Sequence, residues 1–224
     1  MNIKKYILLL SSLFFFTFSN VCLSSTKFVQ NIHYELIKQS PSIKLIKDPK
    51  IQIIEFFSFL CPNCYDFYNM IYKTNFLNKK FLKNLKVKKY HINGIGNKKL
   101  SELATYNWSI AIVLHVEDKV ILPIFEGIQK SHKIYNYFTM RKLFIKAANI
   151  DKNIYDAAWN SFLVKALNIK QKELSKTWNV SSVPFIIVNN NSHIILNTLD
   201  ITSPNTFLND YINLIKILLK NKIK

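Results

Sequence analysis

The pattern of hydrophobic and polar positions predicts two buried strands in the first half of the chain. Residues 51–59 are mostly β-branched or aromatic, and so continuous an apolar run is typical of a central strand covered on both faces. Residues 87–92 are predicted to form the second strand. Between the two, Pro62 suits the first turn of a helix. The residues that continue this helix at helical spacing are Tyr65, Tyr68, Ile71 and Tyr72.

The middle of the chain, residues 94–169, is predicted to be helical. Helices are expected at 103–116 and 140–148, and a linking helix is expected at 166–178. One further amphipathic face is predicted from apolar residues spaced at i, i+4, i+7, i+8 and i+11. These residues are Tyr155, Trp159, Phe162, Leu163 and Ala166.

The last part of the chain returns to strands at 184–188 and 193–196 and ends in a helix that begins near Pro204. The apolar face of that helix, which should pack on the sheet, consists of Phe207, Tyr211, Leu214, Ile215 and Leu218. Residues 27–46 lead into the first strand as a short N-terminal segment. The order of elements predicts an α/β protein, a thioredoxin-like fold with an inserted helical domain. The discontinuous thioredoxin-like domain would cover 25–93 and 170–224, and the helical insertion 94–169.

Composition excludes two classes of nucleotide-binding enzyme. The chain has 224 residues, of which 49% are hydrophobic, enough for one domain with a sizeable core. Its glycines are only Gly94, Gly96 and Gly127, so neither the dinucleotide-binding nor the Walker A glycine pattern can be assembled.

The formal charge of +18 raises the question of a nucleic acid or membrane partner. The lysines are scattered along the chain, and the only dense cluster is the C-terminal KNKIK at 220–224. No motif of nucleic-acid recognition accompanies the charge. A biased composition explains it better, and no nucleic acid partner is predicted.

Residues 1–24 have the pattern of a secretory signal peptide. Lys4 and Lys5 precede an apolar stretch at 6–18 that is short for a membrane span. Cleavage after Ser24 would remove both lysines, lowering the charge from +18 to +16, and would also remove Cys22. The alternatives are a lipoprotein signal at Cys22 and an uncleaved anchor. An exported protein with one remaining cysteine pair would work in an oxidising compartment.

That pair is Cys61-Pro62-Asn63-Cys64, at the junction of predicted strand and helix. A thiol exchanges with a disulfide as its thiolate, and the N-terminus of a helix stabilises that charge. Cys61 is therefore expected to be the exposed attacking sulfur, and Cys64, one turn later, the resolving one. Half of a zinc site and a purely structural disulfide are the alternatives. The histidines are His33, His91, His115, His132 and His193, and they do not have the spacing of metal ligands, so no metal is expected. Of these, only His91 could lie near the site.

Two further features support a redox site. Val183-Pro184 directly precedes a predicted strand. In a thioredoxin-like core this peptide bond is expected to be cis and to lie against the dithiol. Its neighbouring backbone would then offer an unpaired edge to an extended substrate. Glu55 is a lone carboxyl group in an apolar strand, which is costly unless it has a partner. Glu55 is predicted to be a buried proton acceptor for Cys64, with Lys89 on the next strand as its partner. The alternative places Glu55 in solvent.

These residues resemble the DsbA family, the exported thiol:disulfide oxidoreductases of Gram-negative bacteria, along nearly the whole chain after the signal. The matching segments are EFFSFLCP at 55–62, KYH at 89–91, VEDKV at 116–120, PIFEGIQK at 123–130, YDAAWNSF at 155–162 and Val183-Pro184. The resemblance implies a monomeric periplasmic oxidase of reduced exported proteins. It would react through a mixed disulfide at Cys61 and be reoxidised by a membrane partner of the DsbB type. It implies no cofactor beyond the Cys61–Cys64 disulfide.

The chain departs from the family pattern at three positions. The family usually has histidine where this chain has Asn63, and often has acidic residues where it has Tyr68 and Asn69. Without the histidine, the Cys61 pKa should be higher and the protein a weaker oxidant. The main rival function is a disulfide isomerase or reductase. Isomerases usually add a dimerisation domain, and we expect no room for one before Ile51. A second rival is a non-catalytic chaperone with an apolar groove near Val183-Pro184. A basic nucleic-acid binder is the weakest rival.

Overall fold

A computed structural model of the protein describes residues 27–37, 51–73, 81–82 and 84–220. The predicted signal peptide at 1–24 and the C-terminal lysine cluster beyond Lys220 lie outside the described residues. No helix in the described residues is both long enough and apolar enough to cross a membrane.

The described residues form one mixed sheet of five strands. In chain order they are β1 (Tyr34–Leu36), β2 (Ile53–Phe57), β3 (Val87–His91), β4 (Phe185–Val188) and β5 (Ser192–Ile194). Their spatial order is β1-β5-β4-β2-β3, with β2 and β3 parallel and the other pairs antiparallel. All five residues of β2 are buried, as expected for a central strand covered on both faces.

Seven α-helices accompany this sheet in the described residues. They are α1 (Pro62–Tyr68), α2 (Lys98–Leu114), α3 (Glu117–Phe125), α4 (Tyr137–Ala148), α5 (Lys152–Asn160), α6 (Phe162–Thr177) and α7 (Pro204–Lys220). A π-helical turn extends α1 over Asn69–Lys73, another extends α3 over Glu126–Lys130, and a 3₁₀ turn covers Leu196–Thr198.

The helices cover both faces of the sheet. On one face, Phe67 of α1 and the apolar stripe of α7 pack with Ile53 and Ile186. On the other face, Leu174 of α6 and the following Trp178 pack with Ile54. The order and the layers confirm the predicted thioredoxin-like fold with helices inserted between β3 and β4.

The third core joins the helical insertion to the end of β2. Phe57 and Phe59 belong to this cluster together with Trp108 of α2 and Phe125 of α3. The ring of Phe59 lies 4.8 Å from that of Phe125 and 5.0 Å from that of Phe57, both edge to face. Such aromatic pairs add to the stabilisation from burial alone. The loop after β2 is therefore anchored in the helical insertion, and this loop leads directly to Cys61.

The continuous amphipathic face predicted from Tyr155 to Ala166 is wrong. The chain is extended at Ser161 (φ −71°, ψ 147°), where α5 ends and α6 begins. The Ser161 side chain accepts a hydrogen bond from the Val164 N–H, the usual role of serine before a helix. The break leaves Phe162 and Leu163 80% and 65% exposed.

The linking helix consequently begins at 162 rather than 166, so the domain boundary expected after residue 169 falls inside α6. The division of the chain into 25–93, 94–169 and 170–224 stays a prediction. Strand β1 lies in the segment for which no strand was expected. It has three residues, and all of them are partly or fully exposed, so it has no clear alternation of apolar and polar positions.

Candidate active site

Cys61 lies at the end of the loop that connects β2 to α1. Its backbone is extended (φ −93°, ψ 116°), and Pro62, which has no N–H to leave unpaired, is the first residue of the helix. The Cys61 N–H donates to the Ser58 carbonyl at 3.1 Å. Both cysteines are free thiols in this structure. Cys61 is more exposed than Cys64, 7% against 2%, but the prediction that it is an exposed residue is wrong, because it packs into the core that joins β2 to the helical insertion.

The environment separates the two thiols in acidity. A hydrogen bond from the Cys64 thiol lowers the pKa of Cys61 to about 6, helped by the backbone N–H groups of Cys64 and Asn63 and opposed by burial and by the charge of Asp66. Burial raises the pKa of Cys64 far above its usual range, and its hydrogen bond with Cys61 adds to the effect. At neutral pH the arrangement favours a Cys61 thiolate beside a Cys64 thiol.

The Val183-Pro184 peptide bond is cis, as the sequence predicts. This segment lies against the dithiol, because the Cys61 Sγ is 3.4 Å from the Val183 carbonyl oxygen, to which the neutral thiol donates. Beside it is a groove of about 470 Å³. One wall comes from α1 and its π-helical extension, a second from the loop before β4, and a third from β5, the segment after β5 and α7. The residues of the first two walls are Asn63, Asp66, Phe67, Met70, Ser182, Val183 and Pro184.

Glu55 is a buried member of β2, only 5% exposed. Its strand partner in β3 is Lys89, and the two side chains form an ion pair. Burial and the Lys89 partner agree with the sequence prediction, and the solvent-facing alternative is wrong. The charge of Glu55 is among the influences that raise the pKa of Cys64, which places its carboxyl group within electrostatic reach of that sulfur.

Gln129 is a site residue that the sequence analysis missed. It lies in the π-helical turn after α3, and its Nε2 donates to the Phe59 carbonyl at 2.7 Å and to the Cys61 carbonyl at 3.0 Å. The side chain therefore ties the helical insertion to the backbone on both sides of Leu60. No local pattern marks a glutamine for such a role, since the contact spans about 70 residues.

His91 holds the same loop from the other side. The Phe59 N–H donates to His91 Nε2 at 2.9 Å, and His91 Nδ1 lies 2.8 Å from Thr105 Oγ1. Because Thr105 Oγ1 donates to the Ser101 carbonyl, it accepts from Nδ1–H, which fixes a neutral tautomer. Complete burial agrees, since it lowers the pKa of His91 to about 3.

The other two predicted site residues, Pro62 and Asn63, lie at the start of α1. Pro62 and Asn63 are exposed, and Asn63 lines the groove.

Among the described residues no group of three or more histidine, cysteine, aspartate or glutamate side chains could hold a metal ion. The zinc alternative for Cys61 and Cys64 therefore finds no further ligands in the part of the chain that the structure describes.

Known proteins resemble the chain in sequence. No model of a protein family matches it. The thiol:disulfide interchange protein DsbA of Escherichia coli strain K12 is 37% identical over 171 residues, and that of Salmonella typhi is 36% identical over 171 residues. Each alignment covers 76% of this chain and 81% of the relative.

Solved structures resemble it along most of its length. A DsbA of Klebsiella pneumoniae superposes with a TM-score of 0.74 at 26% identity, covering 88% of this chain and 100% of that one. A Proteus mirabilis DsbA in complex with a non-covalently bound peptide, PWATCDS, gives a TM-score of 0.72 at 27% identity, with the same coverage.

Proposed function

Since this chain belongs to the DsbA family of thiol:disulfide oxidoreductases, we propose that it introduces disulfide bonds into exported proteins through Cys61 and Cys64. The observation that carries this proposal is the position of Cys61 at the N-terminus of α1, with its Sγ 3.4 Å from the Val183 carbonyl oxygen and Cys64 one helical turn later. The opposite directions in which this environment shifts the pKa values of the two thiols agree with it. A stabilised Cys61 thiolate makes the reduced protein favourable, and a dithiol whose reduced form is favourable is an oxidant of other thiols.

The reaction begins from the oxidised protein. A substrate thiolate attacks the Cys61 Sγ, the Cys61–Cys64 bond breaks, and its electron pair leaves with the Cys64 sulfur, which takes up a proton. A second substrate thiolate then attacks the substrate sulfur of the mixed disulfide and releases Cys61 as a thiolate. Two substrate thiols are oxidised to a disulfide and the protein is left as the dithiol, so no cofactor beyond the two cysteines is proposed.

The surrounding residues divide the remaining tasks. Burial makes Cys64 a thiol rather than a thiolate after the first step, and Glu55, held by Lys89, is proposed to exchange its proton. The backbone at Val183-Pro184 is proposed to align an extended substrate segment in the groove, as strand addition does elsewhere. The Proteus relative that binds a cysteine-containing peptide supports a peptide in this role.

The family and the sequence support a proposal for the cellular setting. The signal-like residues 1–24 support export to the periplasm. A monomer is proposed to act there on reduced exported proteins and to be reoxidised by a membrane oxidase of the DsbB type.

A direct experiment follows the thiols of a reduced, unfolded ribonuclease mixed with one equivalent of the oxidised protein. We expect two substrate thiols to disappear for each protein dithiol formed, and Cys61→Ala to abolish the reaction. If the wild type oxidised no thiols, and both it and Cys61→Ala suppressed aggregation of the unfolded ribonuclease equally well, a chaperone would be the better account. If the wild type rearranged a scrambled ribonuclease but oxidised a reduced one poorly, an isomerase would be.

A further inference from the structure

The groove beside Cys61 carries an exposed carboxylate. One face of α1 supplies Asn63, Asp66 and Phe67, at the helical spacing i, i+3 and i+4, and Met70 follows from the π-helical turn that extends α1. Asp66 is exposed, and the other described residues of the groove include neither lysine nor arginine. The chain has a formal charge of +18, whereas the only charged side chain at neutral pH among the described lining residues of the groove is the negative Asp66.

Asp66 has no evident structural task in the described part of the molecule. Its side chain caps no helix, and it forms no ion pair with a described residue. Its charge opposes the ionisation of Cys61, so for the thiolate alone it is unfavourable. The same influence shows that the carboxylate lies within electrostatic reach of the reacting sulfur.

The other titratable residue of the groove does not compensate this charge. Burial lowers the pKa of His193 below its ordinary value of 6.5, so its ring is mostly neutral at pH 7. The rest of the lining is apolar or uncharged, with Phe67, Met70 and Phe207 as its large side chains. A bound segment would therefore meet an apolar surface with one negative charge close to the sulfur.

We propose that Asp66 is a specificity-determining residue, which makes the groove prefer substrate segments that carry lysine or arginine next to the reacting cysteine. This inference rests on the proposed function, since it concerns the substrate of the same site. A cationic side chain would pair with the Asp66 carboxylate, which has no ion-pair partner among the described residues, and an acidic side chain would be repelled by it. Because the pair is exposed to solvent, the preference is a bias in rate of severalfold and weakens with salt.

The test measures single-turnover oxidation of three dithiol peptides by the oxidised protein. The peptides are identical except for lysine, glutamine or glutamate beside the first cysteine. The peptide loses two thiols and becomes a cyclic disulfide while the protein becomes the dithiol, so no other oxidant is needed. The quantity compared is the ratio of the lysine rate to the glutamate rate, in which any change of Cys61 reactivity cancels.

We expect Asp66→Asn to lower this ratio by about threefold to tenfold at low salt. The substitution removes both the attraction to the lysine peptide and the repulsion of the glutamate peptide, and each is an interaction between two exposed charges. Asp66→Lys should lower it further and favour the glutamate peptide. Glu173→Gln, which removes an exposed carboxylate of α6 that does not line the groove, is the matched control and should leave the ratio unchanged.

An equal ratio in wild type and Asp66→Lys, or an equal loss in Glu173→Gln, would overturn the inference. The glutamine peptide separates this failure from failure of the proposed function. If wild type oxidises the glutamine peptide and only the charge preference is missing, the oxidase activity stands without the role of Asp66. If the glutamine peptide is not oxidised at all, the proposed function fails, and the inference fails with it.

Discussion

The hydrogen bonds from Gln129 to the loop before Cys61 should contribute measurably to the free energy of unfolding. Replacing Gln129 by methionine keeps a side chain of similar length and removes the amide that donates to the Phe59 and Cys61 carbonyls at 2.7 and 3.0 Å. The two carbonyls are affected unequally. The Cys61 carbonyl still accepts from the N–H groups of Cys64 and Tyr65, at 3.2 and 3.3 Å.

The Phe59 carbonyl has no other described donor, and Phe59 is fully buried. A buried carbonyl left without a partner costs about 1–3 kcal/mol, and the weaker loss at Cys61 adds about 0.5 kcal/mol. We therefore expect Gln129→Met to lower the free energy of unfolding by about 2 kcal/mol. With a urea m-value of about 2 kcal/mol per molar, the midpoint should fall by about 1 M.

The assay is equilibrium urea unfolding of the reduced protein, followed by tryptophan fluorescence. The exposed Gln30 provides a matched control, and Gln30→Met should change the unfolding free energy by no more than about 0.5 kcal/mol. An unfolding free energy of Gln129→Met within that same margin of the wild type would show that the hydrogen bonds of Gln129 do not hold the active-site loop.

Three further predictions concern the thiols and the loop. Asn63→His should lower the pKa of Cys61 below about 6 by placing a cationic ring beside the thiolate, which the thiolate absorbance near 240 nm measures; an unchanged or higher pKa would contradict this. Because the Cys61 pKa is lowered in the folded protein, the unfolding free energy of the reduced protein should rise as pH rises from about 6 towards the ordinary thiol value of 9.0, and this gain should be lost as pH falls through 6. In urea unfolding, the unfolding free energy of Cys61→Ser should change less with pH over this range. His91→Phe leaves the Phe59 N–H without its described acceptor and should cost about 1–3 kcal/mol in the same assay, and an unfolding free energy equal to that of the wild type would contradict this.

The strand, the motif and the helix that follows it could be predicted because each depends on local sequence. A continuous apolar run specifies β2, and Pro62 starts α1 at the position where proline costs least. Glu55 was identifiable as buried because a carboxyl group in such a run needs a partner, and Lys89 lies opposite it in the adjacent strand.

The parts that could not be predicted depend on contacts between distant residues or on competing local signals. Gln129 contacts the loop through two hydrogen bonds, across 70 and 68 residues, and His91 contacts it through one, across 32 residues. No spacing rule relates those positions, so the sequence indicated at most that His91 could lie near the site. At Ser161 the local cap overrides the helical periodicity on either side of it, so periodicity alone predicted one helix where there are two.

The proposed oxidase activity depends on a stabilised Cys61 thiolate in the reduced protein. The most direct test measures the unfolding free energies of the reduced and oxidised forms at pH 5 and at pH 7. With a pKa of about 6 in the folded protein against an ordinary 9.0, thiolate formation stabilises the reduced form at pH 7 by about 1.4 kcal/mol, or about 1 kcal/mol after allowance for solvent screening, and contributes almost nothing at pH 5. Because the disulfide crosslink stabilises the oxidised form at either pH, we expect the unfolding free energy of the reduced form to rise by about 1 kcal/mol relative to that of the oxidised form between pH 5 and pH 7. A difference between the two forms that did not change with pH would contradict a stabilised Cys61 thiolate.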